Sequence, residues 1–262
     1  MAILDIQSAL GRPTGVGRYA RMIAEHLPAA AGEDGLSLFC FDFRGRGLPF
    51  EATAPLKRIR WMPGRAVQGA WKTIRWPPFD WLAGAADLFH FPNFTAPPLS
   101  RGRCVVTVHD AAWLRLPDTL EPKNLRWLSR RMPDTLRRAD AVVTVSRFTA
   151  DELAEQTGTP REKIVPIHSG FGLRTPPADP DAAAGLRRAY RLDRPWILGV
   201  GTIEPRKNWT LIADLMERAD FFDGLAVIAG GRGWKDDPIL DRLRSSAAGD
   251  RIRVLTDVGD RE

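Results

Sequence analysis

The chain reads as an α/β protein made of two Rossmann-like, doubly wound units, the second of them incomplete. Three observations predict this. Short apolar runs rich in strand formers alternate with segments of helical periodicity along the whole sequence. Polar and glycine-containing loops fall after those runs, where open parallel sheets place their ligands. A stretch carrying Pro176, Pro177 and Pro180 then interrupts the alternation, which restarts beyond it. The expected boundaries are residues 1–171 for the first unit, 172–195 for a hinge with one short helix, and 196–262 for the second unit.

The elements follow in order. Ala2–Ile6 is a short apolar strand, and the loop Gln7–Thr14 leads to Gly15-Val16-Gly17-Arg18-Tyr19 and a helix with Tyr19, Ile23, Ala24 and Leu27 on one face. Leu36–Phe41 is the next strand, closed by Asp42. Arg44–Pro63 is rich in Gly, Pro and Arg and forms a loop with a short strand near Lys57–Trp61. Trp61, Trp71, Trp76 and Trp81 follow, with Pro77 and Pro78 dividing two helical pieces. Packing into the core is the default for these indoles, with an acceptor groove as the minority role. Asp87–Phe91 is a strand ending near His90 and Asn93, and His90 is read as a structural hydrogen-bonding residue. Cys104–Val108 is a continuous β-branched run, as a central parallel strand buried on both faces requires. His109 and Asp110 stand at its C-terminal end, where ligands bind. Glu121–Arg138 is a long arginine-rich helix, apolar at Leu125, Leu128, Met132 and Leu136. Ala141–Val145 is a strand, Ser146 caps the helix after it, and Ile164–Ile167 closes the first sheet. In the second unit, Leu225–Ala229 and Ile252–Leu255 are strands, the former followed by the glycine loop Gly230–Gly233.

Composition bounds the function. With 262 residues, 44% hydrophobic and 27% charged, the chain can build two cores and is not disordered. Its formal charge of +6 suits nucleic acid, anionic lipid or a phosphorylated substrate. No long block of like charge and no aromatic ribonucleoprotein pattern occurs, so nucleic acid is set aside. Cys40 and Cys104 lie in apolar runs without framework spacing and read as buried reduced thiols of a cytoplasmic protein. Asp5 and Arg12 interrupt the N-terminal apolar run, which argues against a signal peptide. No stretch approaches the ~20 apolar residues of a membrane span, so any membrane role is peripheral.

The most informative stretch is Trp196–Trp209. A buried strand, Ile197 to Val200, ends on Gly201, and Pro205 breaks the chain. Asn208 then opens a helix with Leu211, Ile212, Leu215 and Met216 at helical spacing. Arg206 and Lys207 thus stand at a helix start, where free backbone N–H groups already favour an anion. Arginine grips phosphate oxygens in pairs and lysine adds a compact charge, so the turn suits a diphosphate. Gly15 and Gly17 compete for attention as Gly-x-Gly-x-x-Ala, a dinucleotide fingerprint with Asp42 as the ribose acid. Eight residues separate those glycines from the first strand, which is too many for that fingerprint.

Together these stretches resemble the retaining GT-B glycosyltransferases of glycosyltransferase family four. There, Gly-Thr-(aliphatic)-Glu-Pro-Arg-Lys-Asn opens the donor-binding domain, matched here by Gly201–Asn208. The resemblance implies that Arg206 and Lys207 hold the diphosphate of a nucleotide-sugar. Thr202 stands beside them where many relatives carry arginine. It also implies that the backbone at Gly15 and Gly17, within Thr-Gly-(aliphatic)-Gly-Arg-Tyr, lies near the donor phosphates. His109, in Val-x-Val-His-Asp, would be the catalytic residue, its neutral imidazole binding sugar hydroxyls and ordering the transition state. The implied reaction moves a hexose, mannose first, from the nucleotide-sugar to a glycan or lipid-linked acceptor with retention of configuration. It needs no metal or other cofactor, and it places the protein in the cytoplasm at the inner face of the membrane. The family's acidic Glu–seven residues–Glu motif would fall beyond Glu262. The expectation is therefore a C-terminally truncated chain of about two thirds of an enzyme, inactive by itself. Two other readings stay open: an NAD(P)-dependent oxidoreductase using Gly15, Gly17 and Asp42, and a non-catalytic sugar-nucleotide-binding fragment.

Overall fold

A computed structural model describes residues 1–11, 14–32, 35–170, 179–218 and 222–259. The chain divides into two compact units, Met1–Arg115 with Arg126–Gly172, and Leu116–Leu125 with Leu173–Glu262. Pro176, Pro177 and the expected boundary at 171/172 lie outside the described residues.

In the first unit, β1 (Ala2–Asp5) leads through a 3-10 turn, Gln7–Leu10, to α1 (Gly15–Ala31). Then come β2 (Leu36–Phe41), β3 (Leu56–Ile59), α2 (Gly64–Thr73), α3 (Phe79–Ala83) and β4 (Leu88–Phe91). After these follow β5 (Arg103–Val108), α4 (Ala112–Arg115), α5 (Pro122–Arg138), β6 (Ala141–Thr144), α6 (Arg147–Thr157) and β7 (Ile164–Pro166). The strands form one parallel sheet in the order β3-β2-β1-β4-β5-β6-β7. Leu4 pairs with Leu38 on one side and His90 on the other, so the strand order reverses direction between β1 and β4. The C-terminal ends of those two strands make the switch point, where doubly wound sheets open a crevice. Burial follows from sequence: Leu4, Leu38, Phe89, Val106, Val108 and Val142 are fully enclosed, as strands covered on both faces demand. Ser146 caps α6 by accepting from the Thr149 N–H at 3.1 Å. Cys40 and Cys104 are buried and free, with burial raising both thiols, to about 12 and about 11.

The second unit contains α7 (Pro180–Ala189), β8 (Trp196–Val200), α8 (Thr210–Arg218), β9 (Leu225–Ala229), α9 (Asp237–Arg244) and β10 (Ile252–Leu255). Its three strands are parallel in the order β10-β9-β8. Ile203, Trp209, Ala213, Met216, Ile228, Leu240 and Leu243 build its core.

Two expectations are corrected, and one helix is added. The tryptophans do not pack as a core: Trp61, Trp76 and Trp81 are 69%, 56% and 62% exposed, and only Trp71 is half-buried. Trp61 follows the end of the short strand at Ile59, Trp76 lies between the two helices, and Trp81 is an exposed residue of α3, which otherwise buries Phe79, Asp80 and Ala83; Trp76 and Trp81 meet edge-on. The strand before the basic turn is not buried. Among the described residues β8 is the edge of its sheet, and Ile197, Leu198 and Val200 are exposed there, while β9 beside it is enclosed. Finally, α9 was not anticipated, although Pro238 at its start and Ile239, Leu240 and Leu243 on its buried face are ordinary helix signals.

Candidate functional site

In the first unit the site begins at the end of β5. His109 is half-buried, and its Nε2 lies 2.8 Å from the Pro92 carbonyl oxygen. A carbonyl only accepts, so Nε2 carries the proton and Nδ1 keeps a lone pair. Burial lowers the His109 pKa, opposed by the Pro92 carbonyl and by Asp110. The ring is therefore neutral at pH 7. Tyr19 meets it edge-on at 4.8 Å and Phe94 at 5.4 Å, which fixes its plane. Asp110 does something else with its carboxylate, accepting from the Ala112 N–H at 3.1 Å to open α4.

The glycine turn is brought to the same place through Tyr19. Thr14 caps α1 by accepting from the Gly17 N–H at 3.0 Å, and Gly17 is buried in the first turn. Gly15 is exposed, and a methyl group added there would touch nothing within 4 Å. Packing thus does not require a glycine at that position, whereas backbone approach by a ligand would. His90 lies beneath, bonded to Thr107 Oγ1 at 2.8 Å, and burial lowers its pKa to about 4. Thr107 Oγ1 also meets the Tyr19 hydroxyl at 3.4 Å, so His90 supports the Tyr19–His109 pair rather than facing a ligand.

Asp42 is not free to hold a ribose. Its carboxylate accepts from the Arg46 and Gly47 N–H groups at 2.8 and 3.1 Å and lies 3.9 Å from Arg58. Those bonds tie down its own loop, and they remove the main support for a dinucleotide site.

In the second unit, Thr202, Arg206 and Lys207 share one turn. The cations sit on a 3-10 turn, Pro205–Lys207, and not on the first turn of α8, which begins at Thr210. Asn208 separates the two in a left-handed conformation at φ 50°, which asparagine tolerates. Arg206 Nη2 lies 2.8 Å from Glu204 Oε1. Lys207 is exposed and makes no ion pair among the described residues.

Trp209 holds this turn, a role that sequence reasoning missed. Its indole N–H donates to the Thr202 carbonyl at 2.9 Å, and its ring lies against the Cα of Gly199, where any side chain would collide with it. The Gly230 loop buttresses the turn from the other side. The Ile203 N–H donates to the Gly231 carbonyl at 3.0 Å, and the Gly233 N–H returns a bond to the Ile203 carbonyl at 3.1 Å. The only forewarning was the bulky Trp209 placed between two glycine-bearing segments.

Comparison with known proteins places the chain among glycosyltransferases. A sequence profile described as Glycosyltransferase Family 4 matches residues 13–174. The O-antigen chain mannosyltransferase B of Escherichia coli is 23% identical over 271 residues, covering 95% of this chain and 69% of that protein. The serotype-specific mannosyltransferase WbdA of Escherichia coli is 37% identical over 73 residues, 27% of this chain and 9% of that protein. Among solved structures, Anabaena HepE in complex with UDP and glucose superposes with a TM-score of 0.65 at 16% identity, covering 99% of this chain and 70% of HepE. WaaG, a glycosyltransferase involved in lipopolysaccharide biosynthesis, gives 0.65 at 12% identity, covering 99% of this chain and 71% of WaaG. These likenesses show a GT-B fold. Among the described residues, no helix is long and apolar enough to cross a membrane.

Proposed function

Since this chain belongs to Glycosyltransferase Family 4, we propose that it moves a hexose, mannose first, from a nucleotide-diphosphate sugar to a glycan or lipid-linked acceptor. The observation that carries the choice of mannose is the similarity to O-antigen chain mannosyltransferase B, which runs over 95% of this chain. The structural neighbour crystallised with UDP and glucose supports a nucleotide diphosphate as the leaving group.

Each residue then has a role set by its chemistry. The departing nucleotide diphosphate gathers negative charge, and Lys207, Arg206 and nearby N–H groups of the turn offset it. Side-chain cations do this work, so the reaction as proposed calls on no metal. His109, neutral with a free Nδ1, accepts a hydrogen bond from a sugar hydroxyl and orients the ring undergoing transfer. Gly15 lets the ligand approach the chain closely. A lipid-linked acceptor would bring the protein to the cytoplasmic face of the membrane as a peripheral visitor.

Calorimetric titration with GDP and UDP, set against NADH, tests the reading. Saturable binding of a nucleoside diphosphate without NADH binding is expected. Tight NADH binding with neither diphosphate bound would replace the transferase reading by an oxidoreductase.

A further inference from the structure

The first unit contains a cavity of about 340 Å³ at the switch point of its sheet. Asp5 closes β1 at one side of it and Phe91 closes β4 at another, while α2 and α5 supply the walls. Four cations line it: Lys72 and Arg75 from α2 and the residues just beyond it, and Arg131 and Arg138 from α5. The indoles of Trp71 and Trp127 line it as well.

The cations are poorly neutralised. A single carboxylate, Asp134, serves three guanidinium groups, with Arg75 at 3.0 Å, Arg138 at 2.8 Å and Arg137 closer still. Arg138 also donates from Nη1 to the Pro97 carbonyl and from Nη2 to the Ala96 carbonyl. Arg131 donates to the Trp71 carbonyl at 3.1 Å and pairs with no carboxylate among the described residues. Lys72 is exposed at the rim, also without an ion pair among them. Burial lowers the Arg131 pKa, Arg75 lowers it next, and Asp134 opposes them more strongly than Arg130 or Arg138 adds to the lowering. A cation crowded by like charges and without a carboxylate partner gains from an incoming anion. Trp71 is also held in place, its N–H donating to the Pro77 carbonyl at 2.6 Å and its ring packed on Phe41 and Phe79.

We propose that this cavity is a sugar-phosphate site, in which Arg131 and Lys72 take the phosphoryl oxygens and Trp71 and Trp127 flank the sugar. The proposal rests on the transferase reading and deepens it: the acceptor carries a phosphoester on or next to its sugar. Guanidinium groups match phosphate oxygens in pairs, and indoles flank sugar rings with little loss of side-chain freedom. A neutral glycan would leave Arg131 as crowded as before.

The test is calorimetry on the whole chain with mannose 1-phosphate, methyl mannoside, GDP and UDP, for the unchanged protein and for Arg131→Gln and Lys72→Ala. Mannose 1-phosphate is expected to bind and methyl mannoside to bind far more weakly. Each substitution should weaken mannose 1-phosphate by about tenfold or more, as loss of a charge-assisted bond predicts. Affinity for the nucleoside diphosphate should move by less than about twofold on the same scale. Lys72 is exposed, so its variant keeps the test valid if Arg131→Gln unfolds. Co-flotation with phosphatidylcholine vesicles carrying a polyprenyl phosphate, lost in the same variants, assigns the phosphoester to a lipid-borne acceptor. Binding of mannose 1-phosphate without co-flotation assigns it to a soluble one. Equal affinity for the neutral glycoside, or no effect of either substitution, overturns the proposal. Parallel losses for mannose 1-phosphate and the nucleoside diphosphate overturn it too, because the cavity would then be a donor site. Failure of the diphosphates to bind the unchanged protein at all, with mannose 1-phosphate bound as expected, counts against the donor reading alone.

Discussion

Replacing Asp5 by asparagine should stabilise the protein, and only above a defined pH. Burial raises the Asp5 carboxyl from 3.8 to about 6, against the opposing bond from the Gln7 N–H at 3.0 Å. Between those two values the folded chain keeps the proton while the unfolded chain releases it. Stability is therefore lost as pH rises through this window, and the loss levels off above about 6. One pKa unit corresponds to about 1.4 kcal/mol, so the ionised carboxylate costs the folded state up to about 3 kcal/mol at pH 8. That figure is an upper one, because Asp5 lines a cavity that admits water. Asparagine keeps an oxygen to accept from Gln7 but cannot ionise. Urea unfolding of both proteins at pH 4 and pH 8 gives the difference directly. The variant should match the parent near pH 4 and exceed it by about 1–3 kcal/mol at pH 8. His90 titrates in the same region with the opposite sign, but it is common to both proteins and cancels. An equal difference at the two pH values, or a less stable variant at pH 8, would refute the burial argument. The same substitution removes the negative charge from the cationic cavity, and it should tighten sugar-phosphate binding as well.

Three other outcomes follow from the geometry. His90, lowered by burial from 6.5 to about 4, leaves the unfolded chain binding the extra proton as pH falls through that window, so stability drops there; His90→Asn should flatten this part of the urea-derived pH profile, and an unchanged slope would contradict the assignment. Lys207→Ala should weaken nucleoside-diphosphate binding by ~1–3 kcal/mol, the scale of a lost charge-assisted contact; calorimetry giving the parent affinity would remove Lys207 from the site. His109→Ala should reduce turnover far more than donor affinity, and equal losses in both would make it an ordinary binding residue.

Much of this was legible because the relevant signals are local. The β-branched run at Cys104–Val108 has to be an interior strand, and a polar residue directly after it has to stand at the ligand-bearing end. Ser146 followed by a helical pattern declares its own cap, and β2 emerges with the expected boundaries Leu36–Phe41. What stayed hidden depends on distant parts of the chain. Nothing in Trp61, Trp76 or Trp81 says that these indoles face solvent. Nothing in Ile197–Val200 says that the strand lies at an edge among the described residues, since burial of a strand is decided by its neighbours. The exclusion of a ribose at Asp42 likewise needed the Arg46 and Gly47 N–H groups, which sequence places nearby but cannot orient. The cavity at the switch point joins residues from positions 5 to 138, and no window of sequence contains it.

Pairing, more than the amount of positive charge, separates an anion site from a solvated surface. The chain is rich in arginine, and part of that excess has an ordinary explanation. In the second unit Arg242 is satisfied by Asp214 and Glu217, and Arg232 by Asp236 and Asp237. Such pairs stiffen the surface and contribute little to attraction. Arg206 is partly in this class through Glu204, so much of the turn's net attraction for a diphosphate falls to Lys207. In the first unit the sharing of Asp134 among three arginines leaves a surplus, and Arg131 carries it at the wall of the cavity. A guanidinium crowded by like charges with no carboxylate of its own is a cost that folding alone gives no reason to keep. Substrate binding gives one, because a phosphoryl group returns the missing counter-charge each time it arrives and takes it away each time it leaves.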